Sequence, residues 1–185
     1  MPGRAAAEVL EGLMTGNRRY AADLPGDPRR DSYWRERTAG GQEPGAVVVS
    51  CSDSRVPPEI LFDQGIGDLF VVRTAGHVLD AAATGSVQYA VRHLGVPLVV
   101  VLGHTSCGAV TAAVEDAHPE GDLGLAIDQI RPAVADARRR GGDLLAESIR
   151  AQVRITAERI RASVPGPRVV GAVYDLQTGT VSLLE

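Results

Sequence analysis

The chain has 185 residues, enough for one domain with a buried core, and 44% of them are hydrophobic, more than a disordered chain carries. Its formal net charge of −4 comes without a basic stripe. The densest cluster, Arg138, Arg139 and Arg140, reads as a solvated helix end, so nucleic acid is not the expected partner. No stretch approaches the roughly 20 apolar residues that span a bilayer. Glu8 and Glu11 interrupt any signal-peptide core, so the chain reads as cytoplasmic with no membrane partner.

Residues 6 to 22 place Val9, Leu10, Leu13, Met14 and Tyr20 at helical intervals with charge between them, which predicts an amphipathic N-terminal helix. From Leu24 to Gly45 the chain is rich in Pro, Gly and Arg and reads as an irregular connector, pinned by Tyr33 and Trp34. Ala46 to Ser50 is a short apolar run expected of a strand buried on both faces. Pro57 and Pro58 suit the opening turn of a helix that continues through Ile60, Leu61 and Phe62. Leu69 to Arg73 is a second strand, and Ser86 to Leu94 a helix stopped by Gly95. Leu98 to Leu102 is a third strand, followed by a helix from about Gly108 to Ala117. Two longer helical patterns, roughly 124 to 140 and 143 to 163, are separated by Gly141-Gly142. Val169 to Tyr174 is a fourth strand, and Thr178-Gly179 turns into Thr180 to Leu184, a hairpin edge.

Alternating strands and helices predict a single α/β domain over 1–185. Its central sheet is mainly parallel, about four strands plus an edge strand, flanked by helices. Residues 1–45 form an N-terminal helical arm and connector, and 46–185 form the core.

In open α/β sheets, functional residues gather just past the carboxyl ends of strands. The first strand runs into Cys51-Ser52-Asp53-Ser54-Arg55, and the third into Gly103-His104-Thr105-Ser106-Cys107. A Cys2His set is a pattern for catalytic zinc, three protein ligands with the fourth position open. A buried core thiol is the bland reading of a lone cysteine pair. Strand-end placement and the His-x-x-Cys spacing favour metal over it, and a structural zinc site would need a fourth ligand that no third cysteine supplies. Asp53 could itself bind the metal, but Arg55 offers a planar fork that matches a carboxylate. Paired to Arg55, Asp53 stays ionised and away from the metal, with an oxygen free to orient a water there. An exposed surface ion pair of no catalytic use is the alternative.

Cys-x-Asp-x-Arg followed some fifty residues later by His-x-x-Cys resembles the signature of the β-carbonic anhydrases. In this chain it reads CSDSRVPPEILFDQGIGDLFVVRTAGHV and then VPLVVVLGHTSCGAV, and the similarity extends over nearly the whole length, more weakly towards VVGAVYDLQTG. The resemblance implies zinc (Zn2+) held by Cys51, His104 and Cys107, an Asp53–Arg55 dyad, and reversible hydration of carbon dioxide to bicarbonate and a proton by zinc-bound hydroxide. Zinc brings the pKa of its bound water to about 7, three-histidine carbonic anhydrase being the reference case. Two thiolates cancel the metal's formal charge, so activity favouring mildly alkaline pH is expected. In the plant-type branch a glutamine nine residues before the first zinc cysteine, here Gln42, hydrogen-bonds the substrate oxygen. Phe70 and Tyr89 match its pocket, Ala75 stands where that branch carries valine, and Gly108 adjoins the second motif. Family members are homodimers or larger, with the glutamine and tyrosine reaching into the neighbour's site and the N-terminal helix lying across the partner.

The chain departs from many relatives after the second strand, reading Arg73-Thr74-Ala75-Gly76-His77 in place of Arg-Asn-x-Ala-Asn. His77 reads as a local structural replacement before a proton-transfer group. Val48 stands where the bicarbonate-inhibited bacterial branch has tryptophan, so that allosteric site is not expected. His93 suits a helix end and His118 a solvated loop. Hydrolysis of carbon disulfide or carbonyl sulfide on the same site, and a non-catalytic zinc or thiol sensor, are the competing functions.

Overall fold

Short runs of valine, long enough for strands and too short for helices, form the centre of the sheet. In the computed structural model, which describes residues 5–184, the strands are β1 (Ala46–Cys51), β2 (Leu69–Thr74), β3 (Leu98–His104), β4 (Arg168–Tyr174) and β5 (Val181–Leu184). Among the described residues they make one five-stranded sheet in the order β2-β1-β3-β4-β5. All pairings are parallel except β4 with β5, the expected antiparallel edge hairpin. Every residue of β1 and β3, the strands flanked on both sides, is buried. That is why their sequence shows continuous hydrophobicity and no alternation.

Helices cover both faces. Ala46, Val48, Leu98, Val100 and Leu102 point to one face, where α1 (Ala6–Ala21) lays Val9, Leu10 and Leu13, and α3 (Pro58–Leu61) adds Leu61 and the following Phe62. Val47, Val49, Val99 and Val101 point to the other. There α4 (Ala81–Leu94) contributes Ala83, Val87 and Ala90, and α8 (Leu144–Ser163) contributes Val153, Ala157 and Ile160. A third apolar cluster sits where the strands end. It joins Cys51 and Cys107 to residues of α5 (Gly108–Val114), α6 (Asp122–Asp128), α7 (Arg131–Arg140) and α8.

The sequence-based reading differs from the structure most at three elements. The connector from Leu24 to Gly45 is not wholly irregular: Ser32–Thr38 form helix α2, started by Asp31, whose carboxylate accepts the Trp34 N–H. No residue of α2 is buried, so no apolar stripe announces it. Helix α4 begins five residues before the expected Ser86, because Asp80 caps it at the Ala83 N–H and three alanines carry no periodic signal. The pattern over 124–140 is two helices, α6 and α7, parted at Gln129–Ile130 with Pro132 opening the second. The arm's helix α1 is seated on its own chain's sheet, where Val9, Leu10 and Leu13 are buried. Of the 1–185 span expected for the domain, residues 1–4 and 185 lie outside the described residues.

Two residues seat α1. The Asn17 side chain, only 3% exposed, donates to the carbonyls of Leu61 at 3.0 Å and Gly179 at 2.9 Å and accepts the Val181 N–H at 2.8 Å. Gly16 lies against the Phe62 backbone so closely that a Cβ there would overlap the Phe62 carbonyl oxygen. Gly16→Ala is therefore expected to lower the urea midpoint by the equivalent of about 1–3 kcal/mol, overpacking outweighing alanine's helix propensity. Gly12→Ala on the same helix, where a Cβ meets nothing within 4 Å, serves as the control and is expected to be neutral or stabilising. Equal midpoints for the two variants would mean that α1 is not docked through Gly16.

Candidate metal centre

Because β1 and β3 are adjacent and parallel, the segments leaving their carboxyl ends start from one edge of the sheet. Cys51 is the last residue of β1, and His104 the last of β3, two residues beyond the expected strand end. Ser106 takes a positive φ of 54°, which turns the chain so that Cys107, the residue capping α5, comes back to the same edge. The ligand atoms of Cys51, His104 and Cys107 all lie within 4.8 Å of one another, and all three residues are buried.

Three observations show that this donor set fits zinc. The two sulfurs are 4.0 Å apart, close to the roughly 3.8 Å of two thiolates about 2.3 Å from a tetrahedral zinc. Nδ1 of His104 is 2.9 Å from the Thr105 carbonyl oxygen, so it carries the proton and donates it there. Nε2 then presents its lone pair, and it is buried with no hydrogen-bond partner among the described residues. A buried imidazole nitrogen left so is costly unless a cation uses it. The hydrogen bond from the Cys107 thiol draws Cys51 below the usual thiol range, against its burial, and the same bond together with burial pushes Cys107 up. The two thiols thus share a proton-bridged arrangement that a cation bound between them would replace.

Asp53 stands over this group and is turned to Arg55. The guanidinium meets it as a fork, Nε to Oδ1 at 2.9 Å and Nη2 to Oδ2 at 2.7 Å, and the Arg55 N–H adds a bond of 2.9 Å to Oδ1. Arg55 thereby holds the Asp53 carboxyl well below the usual carboxylate range. Oδ2 is 3.9 Å from Nε2 of His104, so the carboxylate faces the site while staying tied to Arg55. Arg55 also reaches the Ser106 carbonyl, linking the two motif loops.

Two further residues were not legible as part of the site. Arg73, at the end of β2, donates to the carbonyls of Cys51 at 2.8 Å and Asp53 at 2.5 Å and so holds the loop between them. A lone arginine closing a strand gives no hint of that. The Gly76 N–H points at the Cys51 sulfur at 3.3 Å, from a short turn, Ala75–His77, where Gly76 has φ 60°. His77 is buried beside it, and burial pushes its imidazole down to about 4, so it is neutral.

The expected pocket residues divide. Ala75 adjoins Gly76 at the metal group, and Gly108 follows Cys107, with open space where its Cβ would be. Phe70, however, pairs with Val47, four residues below the Cys51–Thr74 pair, roughly 13 Å along the strands. Tyr89 packs on Phe70 at 6.2 Å between ring centroids, and Gln42 precedes β1 at that same far end. Gln42 and Tyr89 are exposed. Within one chain these three do not meet the metal group.

Residues 46–181 match the family described as carbonic anhydrase. Carbonic anhydrase 2 of Mycobacterium tuberculosis is 41% identical, covering 99% of this chain and 95% of its own length. Among solved structures, the β-carbonic anhydrase CcaA superposes with a TM-score of 0.74 at 23% identity, over 97% of this chain and 94% of that one. Tetrameric β-carbonic anhydrases of Sordaria macrospora superpose with a TM-score of 0.73 at 24% identity, over 96% and 97%.

Proposed function

From the premise that the chain belongs to the β-class carbonic anhydrases, we propose that its reversible hydration of carbon dioxide to bicarbonate and a proton takes place around a zinc ion held by Cys51, His104 and Cys107. The observation that carries this is the orphaned Nε2 of His104 facing two buried thiols, with an Arg55-tethered carboxylate beside them. Zinc, when bound, supplies the Lewis acid that acidifies water enough to attack carbon dioxide at neutral pH. Asp53 accepts a hydrogen bond from the attacking water and aims its lone pair at the carbon. Arg55 keeps Asp53 ionised and prevents it from taking a place in the ligand set. Ala75 and Gly108 put no bulky side chain beside this group, which suits a linear triatomic molecule.

Gln42, Phe70 and Tyr89 serve the site of a second copy in a homodimer. This reading rests on their position at the far end of β1 and β2, on the exposure of Gln42 and Tyr89, and on the tetrameric relatives. The Gln42 amide donates to a substrate oxygen across that boundary, and the two rings wall the pocket. We assign the cytoplasm, where thiols stay reduced and available to a metal. Among the described residues, no helix is long and apolar enough to cross a membrane.

Mixed oligomers test the arrangement. Gln42→Ala and Cys107→Ala are each expected to be nearly inactive in stopped-flow carbon dioxide hydration. Denatured together and refolded with zinc, they are expected to regain about a quarter of the parent rate, since half the dimers are mixed and each has one intact site. No recovery would place Gln42 in its own chain's site. A zinc-loaded parent without turnover would defeat the proposal as a whole.

A further inference from the structure

The inward side of α8 carries a polar ridge. Ser148, Gln152 and Thr156 recur every four residues, so they stack along one side of the helix. All three are at most 2% exposed. Their neighbours Ile149, Val153 and Ile160 belong to apolar clusters, where polar groups are costly unless they find partners. Two of the three reach for one short turn. The Gln152 amide donates to the Gly76 carbonyl at 3.5 Å, and the Thr156 hydroxyl pairs with Nδ1 of His77 at 3.4 Å.

That turn has little freedom. Gly76 and His77 both have positive φ, 60° and 44°, and for histidine this conformation persists only where the surroundings hold it. A Cβ on Gly76 would come within 2.6 Å of Cδ1 of Ile130 and 3.2 Å of the Ala109 Cβ, so Ile130 and Ala109 also crowd the turn. What the turn presents to the site is the Gly76 N–H, 3.3 Å from the Cys51 sulfur. A peptide N–H directed at a ligand sulfur stabilises the thiolate and fixes its direction.

Resting on the reading of Cys51 as a metal ligand, we propose that His77 is a positioning residue: with Thr156 and Gln152 it pins the 75–77 turn against α8, keeps the Gly76 N–H on the Cys51 sulfur, and so sets how tightly the site retains zinc. The neighbouring helix thus tunes the metal group through one peptide N–H.

Zinc retention is measured by chelator competition, and the sulfur-to-metal charge-transfer band is recorded on the cobalt(II)-substituted protein. Thr156→Val keeps the shape of the side chain and removes its hydroxyl. It is expected to weaken zinc binding about tenfold, as loss of a partner behind a ligand does, and to shift the cobalt band. His77→Asn keeps a polar group near the position of Nδ1 and tolerates positive φ, so it is expected to stay close to the parent. Ile160→Val, on the same helix but in the apolar core, is expected to lower the thermal midpoint with zinc affinity and band unchanged. Parent-like affinity and band in Thr156→Val overturn the proposal. So does a loss of affinity that tracks the thermal midpoint equally in Thr156→Val and Ile160→Val, which would reduce the ridge to packing. A parent that binds no stoichiometric zinc, or whose cobalt form lacks a thiolate band, overturns the underlying assignment of Cys51 and is seen without any variant.

Discussion

Cys107→Ala is expected to leave a folded protein that retains less than about a tenth of an equivalent of zinc. Carbon dioxide hydration should fall by about 10⁴-fold or more, a part of the at least 10⁶-fold acceleration typical of enzymes. The fold should tolerate the change. Alanine removes one sulfur from a cluster that also contains Val110, Ile127 and Ile130, which remain packed together. The metal group does not tolerate it, because Cys51 and His104 alone leave two ligands where catalytic zinc takes three. Alanine is more decisive than serine, whose hydroxyl keeps an oxygen in place. Metal content by elemental analysis and stopped-flow hydration on the same sample check the expectation. A variant with one equivalent of zinc and parent-like turnover would remove Cys107 from the ligand set.

Asp53→Asn is expected to separate metal binding from catalysis. Zinc should remain at one equivalent, since Asp53 is tied to Arg55 and not to the thiols, while kcat/KM falls about 10²–10³-fold. Asparagine preserves the shape but removes the charge that Arg55 grips with two nitrogens, and it places a donor where the water needs an acceptor. Arg55→Lys should fall between parent and Asp53→Asn, because an ammonium keeps the charge and loses the fork. The sign of the pH effect follows from the depressed Asp53 carboxyl. Its ion-pair contribution is present above the usual carboxylate range and is lost only as pH falls through the lowered value. A decline in activity between pH 8.5 and pH 7 therefore does not report Asp53 protonation. Unchanged kcat/KM in Asp53→Asn would leave the dyad a surface ion pair.

The sheet and its metal group were largely legible because they rest on local patterns. Val47–Val49 and Val99–Val101 are too short and too apolar to be anything but buried strands, and each runs directly into a cysteine or histidine motif. Parallel pairing brings the two strand ends together without further information. Helices without an apolar stripe were hidden. Helix α2 buries nothing, and the first turn of α4 is alanine. The break at Gln129–Ile130 was missed because apolar spacing continues across it in Ile127, Ile130 and Val134. Gly76 and His77 stood out as a departure in sequence, but their link to α8 runs between residues 79 apart, which no local pattern reveals. Pocket residues such as Phe70 and Tyr89 came from family likeness alone. The chain by itself shows where they are absent, not where they act.

The Asn17 side chain has a consequence for synthesis. Its partners Leu61, Gly179 and Val181 lie 44, 162 and 164 residues further along. In chain order α1 leaves the ribosome well before the hairpin of β4 and β5, so it waits through synthesis of the elements between them for two of its three fastenings. Contacts of such long sequence separation form late. Until then the Asn17 side chain has only its Leu61 partner within the fold, and water takes the rest. An early helix is thus fully fastened only late, when the hairpin of β4 and β5 closes over Asn17.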